Sequence, residues 1–473
     1  MTKRLKIGPL LTLLACALPI AGQQHPNALS LPDAPDAHLI AWAAAPPAVA
    51  EAQNPTAPSS ASTDNAPRLT RNEAEQMALK NNPRISVSRL LALAQHQAMR
   101  EARAAALPTS TASVTAVDAE DGSRVSAGSL TASRLFERAG AGANVSQLIT
   151  DFGRTGNLIS SAKLEEKAQN ANAMATANDI VIATDQAFYD ALQAQAVYQV
   201  AKQNVDTRQT TDTQIGQLTR NKLKSTLDLS FADVNLSQAK LLMLNTQNEL
   251  DASMAILDAV LGLDKEVRYS LVDDTQELQP PPDDVDKLVQ AGLTQRPDLQ
   301  ALSFDQQSAV RFSHAQRDQM LPSITAAGTL GSVPIRPAEY YTANWWGGVG
   351  VNLNIPVFNG FLYSAQAKEA SLRAQAAGER SRDLRNQIVR DVHTAWLAAK
   401  TAYQRVAVTQ QMLQQANLSL QLAQTRYKIG LSSIVELSQA QYLQTEAAIG
   451  NTNAAYQYRL ALATLNYQIG SMP

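Results

Sequence analysis

Cysteine occurs once in 473 residues, at Cys16, so an intramolecular disulfide framework is excluded. Histidine is nearly as scarce: His25, His38, His96, His314 and His393 share no metal-ligand spacing. Neither sign of charge dominates, 40 Lys and Arg facing 42 Asp and Glu for a net of −2. With no basic stripe either, a nucleic-acid partner is not expected. Aromatic residues make up only 5% of the chain, too few for several thick mixed cores. Alanine and glutamine are abundant instead, a profile that suits long helices packed through small residues. Catalytic motifs are fragments. Asp151-Phe152-Gly153 matches a kinase tripeptide without its glycine-rich loop or catalytic-loop partners. Gly140-Ala141-Gly142 is half a dinucleotide fingerprint with no βαβ unit around it. The chain reads as a non-enzyme with no cofactor and no metal.

The first 22 residues read as an export signal. Thr2-Lys3-Arg4-Leu5-Lys6 is a basic head, and Ile7 to Ala15 an apolar stretch too short to remain as a membrane span. Cys16 closes Leu13-Leu14-Ala15-Cys16, which resembles the lipobox of bacterial lipoproteins, although Leu14 is larger than that motif prefers. Two readings stay open: Cys16 is a lipid anchor, or it is discarded with a peptide cut near Ala21-Gly22. Either way the mature chain leaves the cytoplasm. Residues 23–67, rich in Ala, Pro, Ser and Gln, form a flexible leader that buries too little apolar area to order itself.

An internal duplication sets the fold. Asn82-Pro83 and Ala105-Ala106-Leu107-Pro108 return 214 residues later as Arg296-Pro297 and Gln319-Met320-Leu321-Pro322. Asp151-Phe152-Gly153 and Leu227-Asp228-Leu229 return after 208 residues, as Asn359-Gly360-Phe361 and Val435-Glu436-Leu437. The offset changes between Pro108 and Asp151, where a loop between strands absorbs it. Two repeats result, 68–282 and 283–473. Each is predicted to run from a helix of about 35 residues to two strands (108–150 and 322–357), then a helix of about 65 residues and one of about 38.

The long helices carry a seven-residue seam. Ile388, Val392, Ala395, Ala399, Ala402, Val406, Thr409, Leu413, Ala416, Leu420, Ala423 and Tyr427 alternate steps of four and three. Ile180, Thr184, Ala187, Ala191, Ala194, Tyr198, Ala201 and Val205 do the same in the first repeat. Such a seam supercoils neighbouring helices, and its alanines bring backbones close. About 65 residues span roughly 100 Å as helix, far more than a globular core needs. A helical tube wall is the natural solution.

Residues 346–356 alternate Val349, Val351, Leu353 and Ile355 with Gly348, Gly350, Asn352 and Asn354. That is the length and period of a strand with lipid on one side and water on the other. Tyr340, Tyr341, Trp345 and Trp346 sit at its start, where an aromatic girdle would sit. The other candidate strands, 108–117, 139–149 and 322–331, are poorer in large apolar residues, and a small soluble hairpin on each repeat is the competing reading. Four strands cannot close a barrel and open edges are not tolerated in lipid, so membrane strands require several chains to share one barrel.

With these landmarks the chain resembles the outer membrane efflux protein family, the TolC-like channels, over about residues 68–470. The most specific element is Arg426-Tyr427-Lys428-Ile429-Gly430-Leu431-Ser432-Ser433-Ile434-Val435-Glu436-Leu437, which looks like the tip at that family's periplasmic entrance. The strand-to-helix turns around Asp151 and Gly153, and around Asn359 and Gly360, support it. The resemblance implies a mainly α fold with a small β part, in which duplicated coiled-coil hairpins form a periplasmic α-barrel. It implies a homotrimer whose four strands per chain build a twelve-stranded barrel in outer-membrane lipid, docked to a periplasmic adaptor and an inner-membrane pump. Tyr427 matches a gate tyrosine, against a plain core role from the seam. Glu436 and its counterpart Asp228 match a constriction acid, against an ordinary cap of a first helical turn. The second acidic position of some relatives is Gln439 here, which implies a weaker cation constriction. Ile429, Gly430 and Leu431 would contact the adaptor. Their first-repeat equivalents, Lys222 and Leu223, lack the glycine and read as a contact for an acidic partner or a solvated basic turn. Protein secretion in place of efflux, and a soluble periplasmic coiled-coil structural or adaptor protein, are the rival functions.

Overall fold

A computed structural model describes residues 67–118, 124–125, 133–134, 138–263, 267, 269–273, 278–332 and 345–471. The export signal, Cys16, the leader up to residue 66 and the girdle tyrosines Tyr340 and Tyr341 lie outside the described residues. In the first repeat the order is β1 (Arg68–Leu69), α1 (Arg71–Asn81), α2 (Pro83–Ala104), β2 (Thr109–Val117), β3 (Arg124–Val125), β4 (Ser133–Arg134), β5 (Arg138–Thr150), α3 (Arg154–Arg220) and α4 (Thr226–Leu261). The second follows with β6 (Ser270–Leu271), α5 (Val285–Gln295), α6 (Pro297–Asp318), β7 (Ser323–Ser332), β8 (Trp346–Asn354), α7 (Leu362–Lys428) and α8 (Ile434–Gln468).

The expected single first helix is two, of 11 and 22 residues, in both repeats. Pro83 and Pro297 occupy the first turns of α2 and α6, and each forces the residue before it out of helix. Asn82 is extended and caps α2, its Oδ1 accepting from the Arg84 amide at 2.9 Å. The long helices α3 and α7 are 67 residues each.

The short helices lie end to end beside the long ones. Asn82 Nδ2 donates to the Val260 carbonyl at 2.9 Å, joining the start of α2 to the end of α4. Gly262 closes α4 in the left-handed region, at φ 71°, where a Cβ would stand 2.9 Å from the Asn81 backbone. In the second repeat Arg296 Nη1 donates to Gln468 Oε1 at 2.6 Å, joining α6 to the end of α8. The result places α6 and then α8 along the groove between α3 and α7.

Small residues permit the close approach. Ser161 on α3 and Ser308 on α6 are buried with their hydroxyls 2.8 Å apart, and each hydroxyl lies 3.1 Å from the other residue's carbonyl oxygen. The seam carries the apolar core: Ile388, Val392 and Ala399 are 0% exposed, and Ile180, Ala187 and Ala191 are buried. A larger cluster around Phe188, Leu192, Leu257 and Leu261 holds α1, α3 and α4 together. Beside it the two-residue strands β1 and β6 pair in parallel, burying Leu69 and Leu271.

Candidate functional site

The longer strands form one antiparallel sheet in the order β2-β5-β7-β8, and its register sorts the side chains. Directly opposed residues share a face. One face carries the rungs Ala112–Ala143–Leu330–Gly347 and Ser110–Val145–Gly328–Val349, then Val351 and Leu353. The other carries Thr111–Asn144–Thr329–Gly348 and Ser113–Gly142–Gly331–Trp346, then Asn352 and Asn354. Ser110, Gln147, Thr150 and Ser332 are the polar members of the apolar face. Thr111 Oγ1 donates to Asn144 Oδ1 at 2.5 Å on the polar face, where a hollow of about 370 Å³ is lined by Thr111, Ser113, Thr115, Asn144 and Thr329. Among the described residues nothing covers the apolar face around Val349, which is 91% exposed. Among the described residues no helix is long and apolar enough to cross a membrane.

Each strand is joined to one helix, so the strand order β2-β5-β7-β8 repeats the helix order α2-α3-α6-α7. The two strand-to-helix turns use the same backbone with swapped residues. Phe152 and Gly153 have φ of 55° and 117°, and at the same places in the second repeat Gly360 and Phe361 have 62° and 66°. A phenylalanine in this region is strained, and both rings are exposed. Asp151 caps its turn, accepting from the Thr155 amide at 2.7 Å and the Thr155 hydroxyl at 2.5 Å. Asn359 begins the second turn, its carbonyl accepting from the Leu362 amide at 3.3 Å.

At the far ends of the long helices the two tips share one hydrogen-bond pattern. Lys222 and Leu223 amides donate to the carbonyls of Thr219 at 3.0 Å and Leu218 at 2.8 Å. Gly430 and Leu431 amides donate to those of Tyr427 at 3.1 Å and Arg426 at 2.8 Å. Gly430 has φ 77°, and Lys222 holds φ 61° without a glycine's freedom. Leu223 at 69%, Ile429 at 65% and Leu431 at 68% exposure stand out from the tips.

Tyr427 is buried among Ile215, Ala232, Ala423, Ile434 and Leu437, a cluster drawn from α3, α4, α7 and α8. Its hydroxyl has no hydrogen-bond partner among the described residues. Burial, and then the Asp228 carboxylate, push its ionisation above the usual phenol range. Asp228 sits in the first turn of α4, where it accepts from the Ser225 amide at 3.4 Å in a capping box. Glu436 is exposed in the first turn of α8. Its amide donates to Ser433 Oγ at 3.4 Å, and its carboxylate lies 3.3 Å from Arg426 Nε. The structure thus sets the Asp228 carboxylate near Tyr427, while Glu436 pairs with Arg426.

Sequence reasoning did not single out Lys224 or Arg426. Their counterparts across the repeat, Ser432 and Leu218, are uncharged. That contrast was the available signal. Asn235 Nδ2 donating to Ser438 Oγ at 2.8 Å, and Gln441 Nε2 donating to Thr211 Oγ1 at 3.3 Å, tie one hairpin to the other. Among the described residues no group of three or more His, Cys, Asp or Glu is placed to hold a metal.

Residues 288–471, within the second repeat, match the family described as Outer membrane efflux protein. Over 124 residues the chain is 22% identical to the outer membrane protein TolC of Salmonella enteritidis. That stretch is 26% of this chain and 25% of the relative, so the match spans about a quarter of the relative's length. The structure is similar to the outer-membrane channel OprN, at TM-score 0.75 and 18% identity over 85% of this chain and 90% of that one. It is also similar to the CmeC outer membrane channel of Campylobacter jejuni, at TM-score 0.73 and 18% identity over 85% of each chain. The likeness covers both repeats and shows a TolC-like fold, mainly α with a small β part.

Proposed function

We propose that the chain is the outer-membrane exit duct of a tripartite efflux or export system, a passive conduit closed at its helical tips. The observation that carries this reading is the sorting of the sheet into an uncovered apolar face and a polar face. An exposed apolar sheet face has no stable place in water, and lipid resolves it. Among the described residues the sheet also ends on two unpaired edges, β2 and β8, which lipid forbids. Pairing β8 of one copy with β2 of the next removes both, and three copies give the twelve strands that the family resemblance implies.

In this reading Tyr427 anchors the closed tip and the carboxylates of Glu436 and Asp228 ring the constriction, where they favour cations. Ile429, Gly430, Leu431, Lys222 and Leu223 form the surface for a periplasmic adaptor, which links the duct to an inner-membrane pump. Fractionation tests the reading: a heat-modifiable trimer in the outer membrane that needs detergent for release supports the duct. A monomer freed by osmotic shock would make it a soluble periplasmic coiled coil instead.

A further inference from the structure

Arg208 occupies the place in the α3 seam that Ala416 holds in α7, since the two lie 208 residues apart. A small apolar residue therefore suffices for packing there, and the first repeat carries a guanidinium instead. That guanidinium is not on the surface: Arg208 is 7% exposed. Its Nε donates to Asn204 Oδ1 at 3.3 Å, and its buried Nη1 has no hydrogen-bond partner among the described residues. No carboxylate among the described residues lies within ion-pair distance. Asp212, one turn along, is no ion-pair partner of Arg208: its Oδ1 is buried without a hydrogen-bond partner among the described residues, and burial followed by Asp233 raises its pKa. Burial draws the proton affinity of Arg208 down, with no anion to restore it.

Arg208 lines a hollow of about 360 Å³ between α3, α4 and α8. Leu242, Tyr442 and Ile449 supply its apolar wall, and Asn204 adds an amide. Glu446 is the acidic member of the lining. A volume of this size admits a small organic molecule. A planar carboxylate is the natural complement of a guanidinium with an unused N–H. We propose that this hollow binds an amphipathic organic anion, its carboxylate on the Arg208 guanidinium and its apolar body against Leu242, Tyr442 and Ile449.

The test is a fluorescence titration of the full-length protein in neutral detergent with naphthoate, against its uncharged isostere naphthalenemethanol and a detergent blank. Naphthoate is expected to bind saturably, and the alcohol roughly ten-fold more weakly, as the loss of one charge-assisted hydrogen bond requires. Arg208→Gln should weaken naphthoate by a similar factor. Leu242→Trp, which fills the hollow and leaves the arginine in place, should abolish binding even if Arg208→Gln fails to fold. Equal binding of the alcohol, no saturable naphthoate binding, displacement by equimolar inorganic phosphate, or unchanged affinity in Leu242→Trp would each overturn the proposal.

Discussion

The ammonium of Lys224 stands 4.3 Å over the ring of Tyr427, so the tip of the first repeat covers a tyrosine of the second. The contact links two turns more than two hundred residues apart in the chain. Together with the apolar cluster beneath it, it couples the two hairpins that the proposed gate would have to separate.

Tyr427 therefore contributes through its ring. Its hydroxyl is buried without a partner, so Tyr427→Phe should leave the thermal unfolding midpoint unchanged or raised. Tyr427→Ala removes the ring from the cluster and should cost about 3 kcal/mol, read from loss of helical circular dichroism. In single-channel recordings Tyr427→Ala should also raise the open probability, and Lys224→Ala should do so more weakly.

The two tips make opposite predictions at matched positions. Lys222 holds a left-handed backbone with a side chain, so Lys222→Gly should stabilise the protein by about 1 kcal/mol. Gly430→Ala should destabilise it by a similar ~1 kcal/mol, because alanine meets the same strain at φ 77°. A lower midpoint for Lys222→Gly in thermal melts would show that the side chain earns a stabilising contact.

Asp185 is buried beside Glu75 and Arg71, and burial followed by Glu75 pushes its pKa up from 3.8 to about 7. At low pH the folded and unfolded chains both hold this proton. As pH rises past 3.8 the unfolded carboxyl ionises while the folded one stays protonated, so the folded state binds more protons. Stability should fall between these limits and level off above about 7. Asp185→Asn, which keeps shape without ionising, should flatten that part of a melting-temperature profile against pH.

Glu436 is paired with Arg426, so deleting it turns a neutral pair into a single positive charge at the tip. Glu436→Ala should lower cation preference in reversal-potential measurements more than Asp228→Ala, because it leaves the guanidinium uncompensated. Unchanged selectivity in both variants would remove the constriction from the account.

Much of the fold was legible because helical periodicity is local. The seam from Ile388 to Tyr427 contains the buried residues of α7 from Ile388 onward, and every seam residue is at least half-buried. The strand limits held to within about two residues. The break at Asn82 falls inside the single first helix that the sequence predicts, since the helical pattern on either side of Pro83 looks continuous. The parallel pairing of Leu69 with Leu271 left no trace, as two residues carry no period. Three of the four longer strands looked weak because Ala, Gly and Ser differ little in hydropathy. Their sorting appears only when Ala143 is set against Leu330, and Val145 against Gly328 opposite Val349. The candidate site was harder to read for the same reason: the cover that Lys224 places on Tyr427 and the Arg426–Glu436 pair depend on tertiary placement.

The sheet faces can be tested residue by residue. Single cysteines at Val349, Gly350, Val351 and Asn352 would be exposed in intact cells to a membrane-impermeant maleimide, with the parent chain as the background. Gly350 and Asn352 should label from the watery lumen, and Val349 and Val351 should be protected by lipid. Equal labelling at all four, or the reverse alternation, would contradict a membrane barrel built from this sheet.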